Sequence, residues 1–537
     1  MKIFSLFGNI KIKGCVFCSM ILSIALILGR KIVNENSLEL SLIDIVEFII
    51  FTFVYIIAFY FVHFILTKDY SNRLINRVSK KIKKKPYKWS LLGFLISWSG
   101  HLIIKYPAGN CIDVINQIKM GMGTIPMTSH HPIFHTLVMK WFIKIGILLF
   151  DSMNIGIFLF VIVEAVIMAL IFSYIIAILS KTRLPDIFLL ISLIFFMVSP
   201  YIVGYVGQSV KDVLFSAFMV LFMVLVFQYT IKAEGVFGKK WNILLFISTA
   251  GSILFRNNGI YVIVPTFLII FILECKKEKR KKHVVCVLCL LILSVLFPVL
   301  LNKSLCKMYN AEEGSIAEAL SLPFQQTARS VKYHRDDYSS DDIEVINNIL
   351  PFDALGKKYN PNISDPVKRM FNRDASMDDL KGYFKVWLKY FFKEPRCYML
   401  ATIEQNIYLI YPGFCNYRYY VDDNANISDT HLFKSSERIK KNQKYYLNMM
   451  EDFHSLPVFD FINNMAIYTI LLLMIIVFAL NEKKWDLLTL LIPLVLSVLV
   501  VVAAPCIKGH VRYMFPVIWS SPIWISAYRI IGKDKNE

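Results

Sequence analysis

The sequence has few charged residues for its length. Only 18% of its 537 residues are Asp, Glu, Lys or Arg, whereas 56% are hydrophobic and the mean hydropathy is +0.55. Soluble domains cannot bury so much apolar surface, which excludes a soluble multidomain protein. The apolar residues form uninterrupted runs that, as helices, are long enough to cross a hydrocarbon layer of about 30 Å. The composition therefore predicts an all-α polytopic membrane protein.

Other common signals are also missing. The sequence has no tandem repeat, no Gly-Ser linker and no low-complexity tract, and its Cys and His residues do not have the spacing of a zinc site. No small-x-small cleavage site follows the apolar stretch at the N-terminus, which is typical of an uncleaved signal anchor. The chain is thus predicted to begin with a membrane helix.

The net charge of +20 is concentrated in short loops between apolar runs. Such loops mark the cytoplasmic side of a membrane protein, so we expect no nucleic-acid partner. With the loop at 67–88 inside, alternation predicts about twelve transmembrane helices and cytoplasmic N- and C-termini. The predicted helices are 13–30, 43–66, 88–104, 152–178, 186–204, 212–231, 241–256, 258–274, 283–301, 461–480, 486–504 and 512–531.

Three regions follow from this topology. The region 1–301 is transmembrane, with an outer loop at 105–151 in which the run 132–148 is predicted to lie on the membrane surface as an interfacial helix. Residues 302–460 form a long polar stretch and are predicted to be an extracytoplasmic, mainly α domain. A C-terminal transmembrane region, 461–537, follows. In the polar stretch, an aromatic stripe at 383–392 fits either a helix on the headgroups or the core of the domain.

The first outer loop contains polar residues that could take part in catalysis. The Asp113 carboxylate can accept a proton from an attacking hydroxyl or ligate a divalent cation. Alternatively, Asp113 caps a short helix and the nearby histidines only shape the loop. These histidines are His130, His131 and His135.

Cationic residues recur at the other outer ends of the predicted spans. Lys211, next to Asp212, and likewise Arg256 and Arg512 would suit a phosphate group. Lys and Arg at helix ends also commonly extend to the headgroups, which is the simpler interpretation for any one of them. Glu164 lies inside an apolar run, where a carboxylate indicates a functional or helix-packing role.

A series of short motifs runs along the chain. They are Tyr106-Pro107, Asp113, Gln117, His130-His131-Pro132, His135-Thr136, Lys211-Asp212, Glu318, Pro323, Gln325, Gln326, Arg329 and Tyr411-Pro412-Gly413. In this order they resemble a bacterial family of multispanning membrane proteins of unknown function. That family is in turn similar to the GT-C superfamily of glycosyltransferases, which use polyprenyl-phosphate-linked sugars. One departure is Ala108, where the family usually has Gly.

The resemblance implies a GT-C-like fold in the bacterial cytoplasmic membrane. The expected function is transfer of a sugar from a polyprenyl-phosphate donor to an extracytoplasmic glycan, lipid or cell-envelope polymer. Asp113 would be the base or the ligand of a divalent cation, Mg²⁺ or Mn²⁺, with His130 and His131 as further catalytic candidates. The candidates for binding the lipid phosphate are Lys211, Arg256, Arg329 and Arg512. Further site candidates are Tyr106, Gln117, His135, Glu164, Asp212, Gln325 and Gln326.

Two other functions fit the same sequence. A transporter or flippase of a lipid-linked or anionic substrate is favoured by Glu164, but such proteins usually place polar residues near the membrane midplane. Here the polar residues lie at the predicted outer boundary instead. A non-catalytic membrane protein of envelope assembly is the third hypothesis.

Overall fold

The computed structural model describes residues 12–35, 40–276, 281–414, 436–504 and 507–531. Within these ranges the chain consists of helices joined by loops, and its β-structure is limited to three isolated bridges. The predicted all-α fold is confirmed for this part of the chain. Both chain ends, which are predicted to be cytoplasmic, lie outside the described residues.

Among the described residues, eight helices are long and apolar enough to cross a membrane. This confirms a protein with several membrane-spanning helices, although the expected number of twelve is not confirmed. The eight are Lys13–Asn34, Leu42–Thr67, Ile133–Phe150, Met153–Leu179, Lys211–Thr230, Asn257–Cys275, Lys282–Met308 and Trp485–Ala503.

The remaining predicted spans are broken, short or less apolar. The span predicted at 186–204 ends as Asp186–Val198 and resumes as Pro200–Val203. The span predicted at 512–531 contains Phe515–Trp519 and Ser521–Ile530, each with a proline in its first turn. Proline lacks the N–H that would continue the preceding helix, so each break has a local cause. Three other predicted spans are single, unbroken helices that are short or less apolar: Pro86–Ile104, Lys239–Phe255 and Met465–Asn481.

The helix Ile133–Phe150, predicted to lie on the outer surface, packs against the next helix, Met153–Leu179. His135 and Phe142 both contact Phe160. One turn beyond Phe142, Gly146 lies against the backbone of Gly156, where a Cβ atom on Gly146 would come within 2.3 Å of the Gly156 nitrogen. The surface orientation of Ile133–Phe150 stays a prediction.

A second hydrophobic core lies within the predicted 302–460 domain. It extends from Ala317 to Tyr398 and is separate from the core between the spanning helices. The helix Glu437–Ser455, in the same predicted domain, packs instead on the transmembrane core. There the Tyr446 hydroxyl is hydrogen-bonded to His101 Nδ1 at 2.9 Å. The helices of the second core are Ser321–Tyr333, Ser340–Asn347, Phe352–Lys358, Asp365–Lys368, Met377–Lys393 and Pro395–Asn406.

The aromatic stripe lies on the helix Met377–Lys393. Tyr383 and Tyr390 point into the second core and are fully buried, which confirms the core interpretation for that face. Phe384, Leu388 and Phe392 are exposed. Contact of this second face with headgroups stays a prediction.

The predicted sidedness can be tested by cysteine labelling of intact cells. Asp378 lies on the helix Met377–Lys393, its side chain is 88% exposed, and it is predicted to be on the outer side of the membrane. Lys181 is also exposed and is predicted to be on the cytoplasmic side. We expect a membrane-impermeant maleimide to label Asp378→Cys on intact cells and Lys181→Cys only after lysis. The wild-type chain, with its ten native cysteines, gives the background. The opposite labelling pattern would show that the predicted sidedness is reversed.

Candidate functional site

A buried lysine fixes the loop that follows Pro86–Ile104. Lys105 is fully buried, and its ammonium group lies 4.9 Å from the centre of the Tyr446 ring. The ammonium donates to three backbone carbonyls, those of Val203, Gly204 and Val206, at 3.2, 2.6 and 2.7 Å. These carbonyls belong to the last residue of the short helix Pro200–Val203 and to the turn that follows it, where the helical N–H donors end. Lys105 therefore joins two loops that are about a hundred residues apart in sequence.

Backbone hydrogen bonds join the same two loops further along. The Gly109 N–H donates to the Gly207 carbonyl at 2.8 Å, and the Ser209 N–H donates to the Gly109 carbonyl at 3.0 Å. The Ser209 hydroxyl also donates to the Asn110 side-chain oxygen at 2.6 Å. As a result, the helix Ile112–Met122 begins beside the start of Lys211–Thr230.

Five charged side chains meet where these helices begin, and we call them the charge cluster. Asp113 Oδ2 lies 3.7 Å from Lys211 Nζ and 3.3 Å from Arg512 Nη2. Arg512 Nη1 also lies 3.5 Å from Asp212 Oδ2, and Arg256 forms an ion pair with the other oxygen of Asp212. Three cations thus face two carboxylates, which leaves one net positive charge.

The two carboxylates of the charge cluster differ in exposure. Asp212 is 1% exposed, whereas 36% of the Asp113 side chain is exposed. Burial raises the pKa of Asp113, but the charges of Lys211 and Arg512 outweigh it and hold that pKa well below its usual range. Asp113 is therefore an ionised carboxylate that a ligand can reach, while Asp212 is a buried counter-ion.

The three predicted histidines have different surroundings. His131 Nδ1 accepts a hydrogen bond from Lys211 Nζ at 2.9 Å, and burial together with the Lys211 charge lowers the pKa of His131 far below its usual value. The ring is therefore neutral and carries its proton on Nε2. His130 is half-exposed, with its ring 4.5 Å from that of His131. His135 packs against Phe160 and Phe255.

The charge cluster lines a cavity of about 1090 Å³. A second side of this cavity comes from the second core and is also charged, with Glu318, Lys368, Arg369 and Arg373. A third side, the apolar wall, is formed by Leu496, Leu499, Val500 and Ala503 of Trp485–Ala503 together with Tyr261. A smaller adjoining cavity is lined by both Arg256 and Val500, so the apolar wall meets the charge cluster there.

The structure brings only some of the predicted residues into this cavity. Those that line it are Asp113, His130, His131, Lys211, Asp212, Arg256 and Arg512. Those that do not are Tyr106, Gln117, His135, Glu164, Gln325, Gln326 and Arg329. The first group comes from five separate segments of the chain, so its members are joined by the fold and not by sequence proximity.

The predicted residues of the second core have packing partners of their own. Arg329, expected to bind phosphate, forms an ion pair with Glu404 at 2.6 Å. Gln325 donates to the Asn360 carbonyl at 2.9 Å, and Gln326 donates to the Thr402 hydroxyl at 3.0 Å. These contacts account for all three residues as parts of the core, and they give no support to a phosphate-binding role for Arg329.

Three predicted residues lie among the membrane-spanning helices or next to them. Gln117 donates to the Thr136 hydroxyl at 3.0 Å and so links two helices. The ring of Tyr106 packs on Phe158 at 5.0 Å. Glu164 is buried within Met153–Leu179, where no hydrogen bond to its carboxylate is found among the described residues.

Sequence reasoning missed Lys105, which joins the two loops, and the cations on the side of the cavity that the second core contributes. Lys105 ends an apolar helix, where a lysine is usually assumed to reach the headgroups. Lys368, Arg369 and Arg373 lie in the polar region without a recognisable motif. The only available signal was their local density, three cationic residues within six positions, which is common in solvated loops.

A divalent cation is one expectation for Asp113. Both carboxylates of the charge cluster already form ion pairs. Asp113 pairs with Lys211 and Arg512, and Asp212 pairs with Arg256 and Arg512. A doubly charged ion there would be repelled by three fixed cations and would have to displace their side chains. The charge cluster therefore does not fit a divalent cation.

The fold and the cavity define a class: an α-helical polytopic membrane protein with a charged cavity between its spanning helices and a second helical core. Residues 123–531 match a family of unknown function (DUF6020), and the chain belongs to that family. The matched range contains Lys211, Asp212, Arg256 and Arg512 and begins after Asp113. No curated protein and no solved structure matches the chain.

Replacing Lys105 tests whether it holds the two loops. Lys105→Met leaves the buried Val206 carbonyl without a donor among the described residues, while the Val203 and Gly204 carbonyls keep only longer hydrogen bonds of 3.4 Å, from Tyr446 and Gln208. We therefore expect the free energy of unfolding to fall by about 2 kcal/mol. The measurement is thermal unfolding of the purified protein in lipid nanodiscs. Lys144→Met, at an exposed lysine in the same half of the chain, serves as control. Equal melting of both variants would contradict the assigned role.

Replacing Asp212 tests the charge balance. Asp212→Asn removes the counter-charge of the buried Arg512 and the partly buried Arg256, and breaking a buried pair costs about 3–5 kcal/mol. We expect a clearly lower melting temperature for this variant than for Asp113→Asn, because Asp113 is partly solvated. If Asp212→Asn melts like the wild type, the buried ion pairs do not hold the helix ends together.

Proposed function

We propose that this protein is an integral membrane glycosyltransferase that moves a sugar from a polyprenyl-phosphate donor to an extracytoplasmic acceptor. The observation that carries the proposal is the cavity in which the charge cluster meets an apolar wall on Trp485–Ala503. A lipid-linked phosphate has a charged head attached to an apolar chain. It needs cationic and apolar surfaces side by side, as this cavity offers.

The cationic residues suit the leaving group. As the bond between the sugar and the phosphate breaks, charge builds on the phosphate oxygen. Lys211, Arg256 and Arg512 are held in place by their carboxylate partners, so they can stabilise this charge without rearranging. Arg256 is further held by the Tyr513 ring, whose centre lies 5.0 Å from its guanidinium carbon.

Asp113 suits the acceptor. The acceptor hydroxyl oxygen forms the new bond to the sugar C1, the bond from C1 to the donor phosphate breaks, and the phosphate leaves with the electron pair. Asp113 accepts the hydroxyl proton and, as an anion, stabilises the oxocarbenium-like sugar. Since its low pKa makes it a weak base, much of the rate must come from positioning the acceptor.

Two further arguments support the proposal. The motifs from Tyr106 to Tyr411 resemble those of multispanning proteins similar to the GT-C superfamily. Loops rich in Lys and Arg, such as 67–88, favour a cavity on the outer side of the bacterial cytoplasmic membrane. On this basis we place the cavity, and the domain of the second core, on the extracytoplasmic side.

One observation favours a transporter as the second candidate. Glu164 is 2% exposed inside a membrane-spanning helix, with no hydrogen bond to its carboxylate in the described structure. Buried carboxylates of this kind occur on ion and proton pathways. Movement of a lipid-linked substrate across sealed vesicles, without cleavage of its sugar bond, would favour this candidate.

Sugar transfer by the purified protein tests the proposal directly. With a series of polyprenyl-phosphate sugars in nanodiscs and cell-envelope acceptors, we expect transfer by the wild type and a loss of at least about 100-fold in Asp113→Asn, because a positioned proton acceptor contributes that much. Asp378→Asn, an exposed aspartate of the second core, is the matched control. Undiminished transfer by Asp113→Asn would overturn the catalytic assignment.

A further inference from the structure

The cavity has a second group of cations that the proposed chemistry does not use. Lys368, Arg369 and Arg373 line the side contributed by the second core, close to the end of the helix Asp365–Lys368. The charge cluster lies on the side contributed by the membrane-spanning helices. A single cavity therefore presents two groups of cations from different parts of the fold.

The members of the second group differ in pairing. Lys368 is buried, and its Nζ lies 2.7 Å from Glu318 and 2.9 Å from Asp365, so its charge is neutralised. Arg369 and Arg373 are exposed to the cavity, and neither forms an ion pair among the described residues. In contrast, Arg256 and Arg512 of the charge cluster are both paired with Asp212.

The two free arginines are carried by an anchored segment. Between them, Phe371 stacks on Phe324 of the second core with ring centres 5.8 Å apart. The next residue, Asn372, donates from its backbone N–H to the Ile349 carbonyl at 3.0 Å and from its side chain to the Asn348 carbonyl at 2.9 Å. The backbone on which Arg369 and Arg373 stand is thus fixed, and only their side chains are free.

Acidic residues also face the cavity, but each has a different place. Glu318 is held by Lys368. Glu312 and Glu313 lie on the segment that is joined to the histidine loop, where the Ser129 N–H donates to the Glu312 carbonyl at 2.8 Å. Neither glutamate lies within ion-pair distance of the free arginines in the described structure.

We propose that Arg369 and Arg373 bind a phosphodiester group of the acceptor. The inference rests on the proposed function, because it names the acceptor of that reaction. A guanidinium group offers several planar N–H donors that match phosphate and carboxylate oxygens. The charge cluster supplies the cations that the donor phosphate needs, and a cavity of about 1090 Å³ is larger than one sugar phosphate requires.

A binding measurement without donor tests this inference. The protein is placed in phosphatidylcholine nanodiscs, and the probes are a soluble glycerol-phosphate oligomer, monomeric dihexanoyl phosphatidylglycerol and a neutral oligosaccharide of matched length. We expect one of the two phosphodiester probes to bind the wild type at least about tenfold more tightly than it binds Arg369→Gln/Arg373→Gln. The probe that responds shows whether the group belongs to a polymer or to a lipid headgroup.

The control removes two positive charges elsewhere in the second core. Lys385→Gln/Arg396→Gln changes two exposed cations outside the cavity, and we expect it to bind the phosphodiester probes like the wild type. Equal affinity of the Arg369→Gln/Arg373→Gln variant and the wild type, or an equal loss in the control, would overturn the inference.

The two proposals fail in different ways. If the probes bind equally with and without Arg369 and Arg373 while the protein transfers sugar, only the proposed anion site for the acceptor is contradicted. Arginine-dependent binding by a protein that transfers no sugar would leave the anion site in place and contradict the glycosyltransferase.

Discussion

The ion pairs among Asp113, Lys211, Asp212, Arg256 and Arg512 are the constraint on which the site depends. These residues stand at the starts or ends of helices from four segments of the chain. Burying any of the cations alone would be costly, and the cost is met only when the carboxylates are at the same place. The charge balance thus fixes how the helix ends come together, and the cavity forms around them.

The carboxylates in this network have separate roles because of their exposure. Asp212 is buried between two arginines and stabilises the packing of the helix ends. Asp113 faces the cavity and remains accessible to a ligand. The loops that bring them together depend on Lys105, whose ammonium replaces the missing helical donors of three carbonyls. A lysine outside the cavity therefore positions an aspartate that lines it.

Much of the architecture is predictable from the sequence because apolar runs report directly on burial in lipid. The number of spans is less predictable, since prolines such as Pro200 and Pro516 break runs whose composition alone looks continuous. Asp113, Lys211, Arg256 and Arg512 were predicted to share a side because helices alternate between sides. Arg329 was predicted with them as a phosphate-binding candidate, but it lies outside the cavity and pairs with Glu404, 75 residues away, and no local pattern shows that pair.

The difference between paired and free arginines bears on how many ligands the cavity holds. A paired arginine has already lost much of its hydration and costs little to bring against a second anion, which suits a phosphate whose charge grows during the reaction. A free arginine remains hydrated until a ligand arrives and contributes mainly to binding that ligand. The first kind comes from the membrane-spanning helices and the second from the second core, a division that fits the donor and the acceptor of the proposed transfer. A transporter of one lipid-linked anion would need only one of these groups, so this division favours a transferase.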